Sequence, residues 1–508
     1  MTQRSIPSSP SAPPSSELEL QNLWTAFAQS VRDNVIGEVA LQVLRFGAMI
    51  VLARALRPDD FGLFRILVVV AAFAMLTIES GIPDALIQKK VLTPAHESTA
   101  WCLSIILATI STAIMYLTAP LLAHLMRMPR LIVGIQLLCV PILLEGTTVT
   151  ANARLRRALR FGALAVADVA GEAGFLIVAL VVLWSGYPRA SLPAGLGARF
   201  ALHAVVVWIA DPYLPRETPR VWAGRDLARF SSSATGAKLM STLSSNADFL
   251  LVGRLLGSSA LGFYSMAWDL LRFIPDRLYK VAGRVALPAF CRLQDDNERL
   301  ARSYRAFFRY LARIVIPLVT CTVIVAPELI GAVYGSQWIP AARPMRLLAP
   351  GLILLGLRSG IGSIYFTKDH PSFDTYWNGA RTLLIIAVVI PTSVIGLDAV
   401  SIGMSAVESA VTIVGVWLAC ALVDMAIVTL AREALSALVL TVMCALATLA
   451  GKSLAIAFGL HGAAVASFAI VPALLVFTWR EAGVFGTLAG RAFSSNGPAR
   501  VDLSEEHP

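Results

Sequence analysis

The chain has 508 residues, 57% of them hydrophobic and only 15% charged, with a mean hydropathy of +0.71. A water-soluble domain clothes itself with roughly 25% charged residues, so the composition excludes one and much of the exterior must face lipid. The net charge of +10 would suit a nucleic-acid binder. No RNA-binding aromatic motif or helix-turn-helix signature accompanies it, however, and Lys/Arg-rich cytoplasmic loops account for the charge without nucleic acid.

Residues 5–16 are rich in Ser and Pro, with no apolar run behind them, so 1–30 is expected to be a disordered cytoplasmic tail, not a signal peptide. Apolar runs near bilayer length then recur. They predict fourteen transmembrane helices, over 35–56, 62–80, 99–119, 131–151, 162–184, 195–210, 231–254, 259–283, 308–333, 344–366, 380–396, 399–421, 435–458 and 461–479. The spans 195–210 and 380–396 are short, and 259–283 carries several charges. A polar cytoplasmic tail, 481–508, follows.

Lys89, Lys90, Arg154, Arg156, Arg157, Arg160, Arg216, Arg220, Arg225 and Arg229 crowd the loops after even-numbered spans, as do Arg292, Arg299, Arg302, Arg305 and Lys368. The intervening loops are poorer in Lys and Arg. This bias puts both termini in the cytoplasm. An offset of 200 residues aligns Arg54, Leu56 and Gly62 with Arg254, Leu256 and Gly262. Six spans precede each copy's return, which implies a parallel repeat with a pseudo-twofold axis along the membrane normal. The expected organisation is an N-lobe at 31–210, a cytoplasmic linker at 211–230, a C-lobe at 231–425 and an appended helix pair at 426–480.

Ionisable residues inside membrane spans normally face a protein interior or a wet cavity. Glu38, Gln42 and Arg45 form one helical stripe, and Lys238, Ser241, Thr242, Ser245 and Asp248 form another. Glu38 and Lys238 are repeat equivalents. The stripes either line a central cavity between the lobes or make an ion pair, Glu38 with Lys238, that fixes packing. In the eighth span Asp269, Arg272, Asp276, Arg277, Lys280 and Arg284 share a broad face, either a cationic cavity wall or a self-neutralised helix end. Arg358 needs an anionic partner: a substrate phosphate, or Glu145 or Asp168. Asp168 and Glu172, at i and i+4, are a proton or cation site, or a packing pair. Cys102, Cys139, Cys291, Cys321, Cys420 and Cys444 form no CxxC pair and read as small hydrophobes, with no metal site and no cofactor expected.

The run Leu52-Ala53-Arg54-Ala55-Leu56-Arg57-Pro58-Asp59-Asp60-Phe61-Gly62-Leu63, then Gly81 and Ala85-Leu86-Ile87-Gln88-Lys89, resembles the N-terminal signature of bacterial polysaccharide flippases of the Wzx type. These belong to the multidrug/oligosaccharidyl-lipid/polysaccharide exporter superfamily. Asn246, Asp248, Leu251-Val252-Gly253, Leu261-Gly262-Phe263-Tyr264-Ser265, Leu287-Pro288-Ala289-Phe290 and Tyr334-Gly335-Ser336-Gln337-Trp338 extend the resemblance over most of 30–480. It implies a non-enzymatic inner-membrane transporter. Such proteins move an undecaprenyl-diphosphate-linked oligosaccharide by alternating access, among membrane lipid and alongside glycosyltransferases and a polysaccharide polymerase. Arg45, Lys238, Arg272, Arg277 and Arg358 are then the side chains expected to hold the diphosphate, and Glu38, Asp168, Glu172 and Asp248 the coupling-ion or charge-pair candidates. A lipid II flippase and a multidrug and toxin extrusion transporter share the scaffold. A membrane polymerase would need a sizeable periplasmic loop, and no predicted periplasmic loop is longer than about fifteen residues.

Overall fold

A computed structural model describes residues 37–478, apart from Val39, Lys90, Ser359, His370, Pro371, His461 and Ala463. The side chains of 228–234 and 276–285, and of Ile274, Pro288, Ser372 and Asp374, are outside it as well. The two expected tails and the side chains of Asp276, Arg277, Lys280 and Arg284 therefore lie outside the described residues.

Regular structure among the described residues is entirely helical. The order is α1 (40–55), α2 (Pro58–Glu79), α3 (Ile82–Gln88), α4 (Pro94–Met126), α5 (Leu131–Arg157), α6 (Phe161–Trp184), α7 (Pro188–Ala210) and α8 (Val221–Cys291). There follow α9 (Asn297–Ile324), α10 (Ala326–Tyr334), α11 (Ala342–Leu357), α12 (Ile361–Thr367), α13 (Ser372–Ser393), α14 (Leu397–Leu422), α15 (Ile427–Ala457) and α16 (Ala464–Thr478). Ten of these helical spans are long and apolar enough to cross a membrane. The other expected spans fall on α1, the second arm of α8, α13 and α16. The helix α8 is broken at Gly257, whose φ of 87° is costly for any residue with a Cβ.

Helix starts follow local chemistry. Pro58, Pro94 and Pro188 each open a helix, where the missing N–H is an orphan anyway. Pro188 corrects the predicted sixth span: the helix begins seven residues before 195. The predicted tenth span is also corrected. It breaks after Leu357, and Gly360, at φ 94°, starts the short α12.

The chain divides into two compact units, Met1–Gly262 and Phe263–Pro508. Between apolar helices in lipid, hydrophobic burial drives little association, and close approach of small residues matters more. In the first unit α7 packs on both α6 and α5. A Cβ on Gly171 would stand 2.9 Å from the Arg199 carbonyl oxygen, and one on Gly195 would stand 2.8 Å from that of Phe175. In the second unit the Gly351 N–H donates to Ser405 Oγ at 2.9 Å, joining α11 to α14. Also in the second unit, α15 lies along α9. Glu433 takes Arg305 and Arg309 near one end of α15, each at 2.6 Å, and Lys452 meets Glu328 at 2.7 Å near the other.

Candidate functional site: a charged cavity among the helices of the first unit

Four helices bring polar side chains to one cavity. On α5, Glu145, Thr148, Asn152 and Arg156 recur every three or four residues and so share a face. Asp168 comes from α6, Arg199 and His203 from α7, and Glu79 from the end of α2. The cavity volume is about 320 Å³, and Met75, Pro83, Val149, Leu164, Gly171 and Phe200 complete the wall. The glycine contacts between α6 and α7 set the spacing: with no side chain at Gly171, Arg199 and His203 lie directly against α6.

The charges are held in place. Glu145 is 3% exposed. It lies 2.8 Å from His203 Nδ1 and accepts from Thr148 Oγ1 at 3.2 Å. Asn152 Nδ2 donates to the same Thr148 hydroxyl at 3.2 Å. The other ring nitrogen of His203 is 3.8 Å from Asp168 Oδ1, so one imidazole stands between two carboxylates. Beside this, Glu172 is shared by two arginines, Arg45 on α1 at 3.0 Å and Arg199 at 3.6 Å. A carboxylate this buried requires such partners, since an uncompensated ion in a low-dielectric interior costs several kcal/mol. Across the cluster, three arginines face four carboxylates and His203 can supply the balance.

The second unit repeats the Glu172–Arg199 bridge with its charges exchanged. Arg381 on α13 donates from Nε to Glu408 on α14 at 3.0 Å. Both members of this bridge stand 209 positions after those of the first pair, with acid and base exchanged. Arg381 is 6% exposed and Glu408 is fully buried.

The sequence-predicted residues are distributed unevenly. Arg45, Asp168 and Glu172 gather at or beside the cavity. Lys238 Nζ lies 2.6 Å from Asp84 Oδ2, so its ion pair is with Asp84, and Glu38 accepts from Gln42 Nε2 at 3.0 Å within its own stripe. Asp248 is fully buried on α8, and Arg272 is half-buried on the arm of α8 beyond Gly257. Arg358 is half-buried where α11 ends. Its suggested partner Glu145 is engaged by His203 and Thr148. No group of three His, Cys, Asp or Glu suited to a metal occurs among the described residues.

Arg199, His203, Glu79 and Asn152 were not anticipated. Arg199 had a legible signal: once Pro188 is taken as the helix start, it falls mid-span, where an arginine demands a partner. Of the basic residues expected in loops, Arg154, Arg157 and Lys89 are bound. Arg154 reaches Asp211 and Glu97, both at 2.8 Å, with its guanidinium 5.0 Å from the centre of the Tyr213 ring. Arg157 donates to the carbonyls of Leu86 and Lys89 at 2.8 and 2.7 Å. Lys89 pairs with Asp226 at 2.8 Å, and its hydrogen bond holds that carboxyl below its usual pKa.

Known proteins agree with this architecture. The chain is 25% identical over 393 residues to the lipopolysaccharide biosynthesis protein WzxC of Escherichia coli (strain K12), covering 76% of this chain and 77% of that one. It is 23% identical over 330 residues to the teichuronic acid biosynthesis protein TuaB of Bacillus subtilis (strain 168). That match covers 61% of this chain and 65% of TuaB, just under two thirds of the relative's length. The fold is similar to that of a solved structure described as lipid II flippase MurJ, inward closed conformation, with a TM-score of 0.70 and 13% identity over 91% of this chain and 99% of that one. Residues 51–343, more than half of the chain, match the family model described as polysaccharide biosynthesis protein, and the chain belongs to that family.

Proposed function

We propose that the protein is a flippase that carries undecaprenyl-diphosphate-linked oligosaccharide units across the bacterial inner membrane by alternating access, for polysaccharide assembly. The observation that carries this is a charged cavity of about 320 Å³ among membrane-length helices, in a chain of the polysaccharide biosynthesis family. A glycan head cannot cross hydrocarbon without leaving its hydroxyls and phosphates unsatisfied. Polar groups fixed along a helix-lined interior lower that barrier, while the polyprenyl tail stays in lipid.

Arg45 and Lys238 in the first unit, and Arg272 and Arg358 in the second, are the basic side chains proposed to meet the diphosphate. Each pairing seen at Arg45 and Lys238 is with a carboxylate that an entering anion can replace. Asp168 and Glu172 belong to the same polar cluster and are proposed as its charge-balancing members. Both termini are placed on the cytoplasmic side by the Lys/Arg bias. Glycosyltransferases would supply the substrate and a polymerase would consume it.

The test is deletion of the gene followed by analysis of lipid-linked glycans. Intact repeat units trapped facing the cytoplasm are expected, with export restored by the wild-type gene and not by Arg199→Ala. Normal translocation with unpolymerised units would assign the chain to polymerisation instead.

A further inference from the structure

The chemistry of the first-unit cavity differs from that of a phosphate site. A phosphate only accepts hydrogen bonds and carries negative charge. Facing it with Glu79, Glu145 and Asp168 sets like charges against one another in a setting that screens them poorly. The two arginines of the wall do not outweigh these three carboxylates, and Arg199 already shares Glu172. A sugar hydroxyl is different: it donates and accepts at once. Carboxylates supply only acceptors when ionised, Arg supplies only donors, and Asn and Thr supply both. All three kinds line this cavity, and Phe200 adds an apolar side chain to its wall.

Size points the same way. A volume of about 320 Å³ lies at the small end of ligand sites. It has room for about ten waters, enough for a sugar ring and not for a long oligosaccharide.

We infer that this cavity is a subsite for an uncharged sugar residue of the transported unit, lined by residues other than those proposed to hold the diphosphate. The inference rests on the flippase function proposed above. Glu79 and Asp168 accept from sugar hydroxyls, while Asn152 and Arg156 donate to them. The Glu145–His203 pair is the fixed floor against which the ring sits.

The experiment compares two ligands on the full-length protein in lipid nanodiscs: undecaprenyl diphosphate bearing the host strain's own repeat oligosaccharide, and undecaprenyl diphosphate alone. Binding is followed by native mass spectrometry for wild type, Asn152→Ala and Glu79→Gln, with thermal melting as the check on folding. Both variants are expected to bind the sugar-bearing lipid about tenfold more weakly and the bare lipid within twofold of wild type. Should only one variant fold, that one carries the same comparison. Equal weakening for both lipids would show that the cavity grips the diphosphate. Unchanged binding of both would place the sugar elsewhere. Either outcome overturns the subsite while leaving the flippase standing. A folded wild type that binds no sugar-bearing lipid would overturn the flippase function and the subsite with it.

Discussion

Gly62 and Gly262 make the same contact from opposite sides. The backbone of Ser258 lies against Gly62, the backbone of Pro58 lies against Gly262, and a Cβ on either glycine would collide with the facing carbonyl. Glycine with glycine, and Pro58 with Ser258, are equivalents at the repeat offset, so the contact has local twofold character. Asp59 closes it by accepting from the hydroxyls of Ser258 and Ser259.

Replacing Gly62 or Gly262 with Val forces these backbones apart. Overpacking of this kind typically costs about 1–3 kcal/mol. Each variant is expected to melt several degrees below wild type in detergent. Gly47→Ala serves as the control, because nothing lies within 4 Å of a Cβ there. Melting of a Gly62→Val protein at the wild-type temperature would show that the close approach does not persist in the membrane protein.

Glu172 serves two arginines, and this predicts unequal effects. Arg45→Ala leaves Glu172 with Arg199, so the loss should be small, on the order of 1 kcal/mol, since Arg45 is only partly buried. Glu172→Ala leaves both arginines in a polar interior without their shared carboxylate and should cost more than either arginine truncation. Melting temperatures of the three single variants and the Arg45→Ala/Glu172→Ala double variant provide the comparison. Additive losses in the double variant would mean that the 3.0 Å pair contributes no coupling.

Much of this was legible in the chain. The apolar runs predict the helices because a span needs about twenty apolar residues, and the 200-residue offset reports the Gly62–Gly262 relationship directly. The stripe containing Arg45 was also visible. Its partner was not, because Glu172 lies 127 residues away and pairing across helices leaves no periodic trace. His203 escaped for another reason: a lone histidine in an apolar run looks like any core residue until Glu145 and Asp168 are found on either side of it. The Arg381–Glu408 bridge was missed for the reason given for Glu172: a pairing across two helices leaves no periodic trace in either one.

The Lys89–Asp226 tie carries a pH expectation. Asp226 titrates below the usual carboxylate range because Lys89 hydrogen-bonds its charged form. A depressed carboxylate pKa means the interaction is present above the unfolded value and disappears only as pH falls through the lower folded one. Acidification from pH 7 to pH 5 should therefore leave the tie intact, whereas Asp226→Asn removes it throughout. Protease sensitivity of the 211–220 segment reports this, with the variant cut faster at both pH values. Equal cutting of wild type and variant at pH 7 would show that the tie does not restrain the segment.

Arg381 and Glu408 give the sharpest test of what the exchanged bridge does. Both side chains are buried, so Arg381→Glu or Glu408→Arg alone sets like charges together away from water. Breaking a buried pair typically costs about 3–5 kcal/mol, enough to remove most folded protein from the membrane. The double exchange Arg381→Glu/Glu408→Arg recreates the polarity that Glu172 and Arg199 already use between α6 and α7. It should restore a monodisperse protein by fluorescence-detected size exclusion. Rescue would show that the bridge locks α13 to α14 irrespective of which helix holds the cation. A folded double variant that fails to export would show instead that the polarity of Arg381 matters for transport. If neither single variant loses folded protein, the bridge contributes little to stability despite its burial.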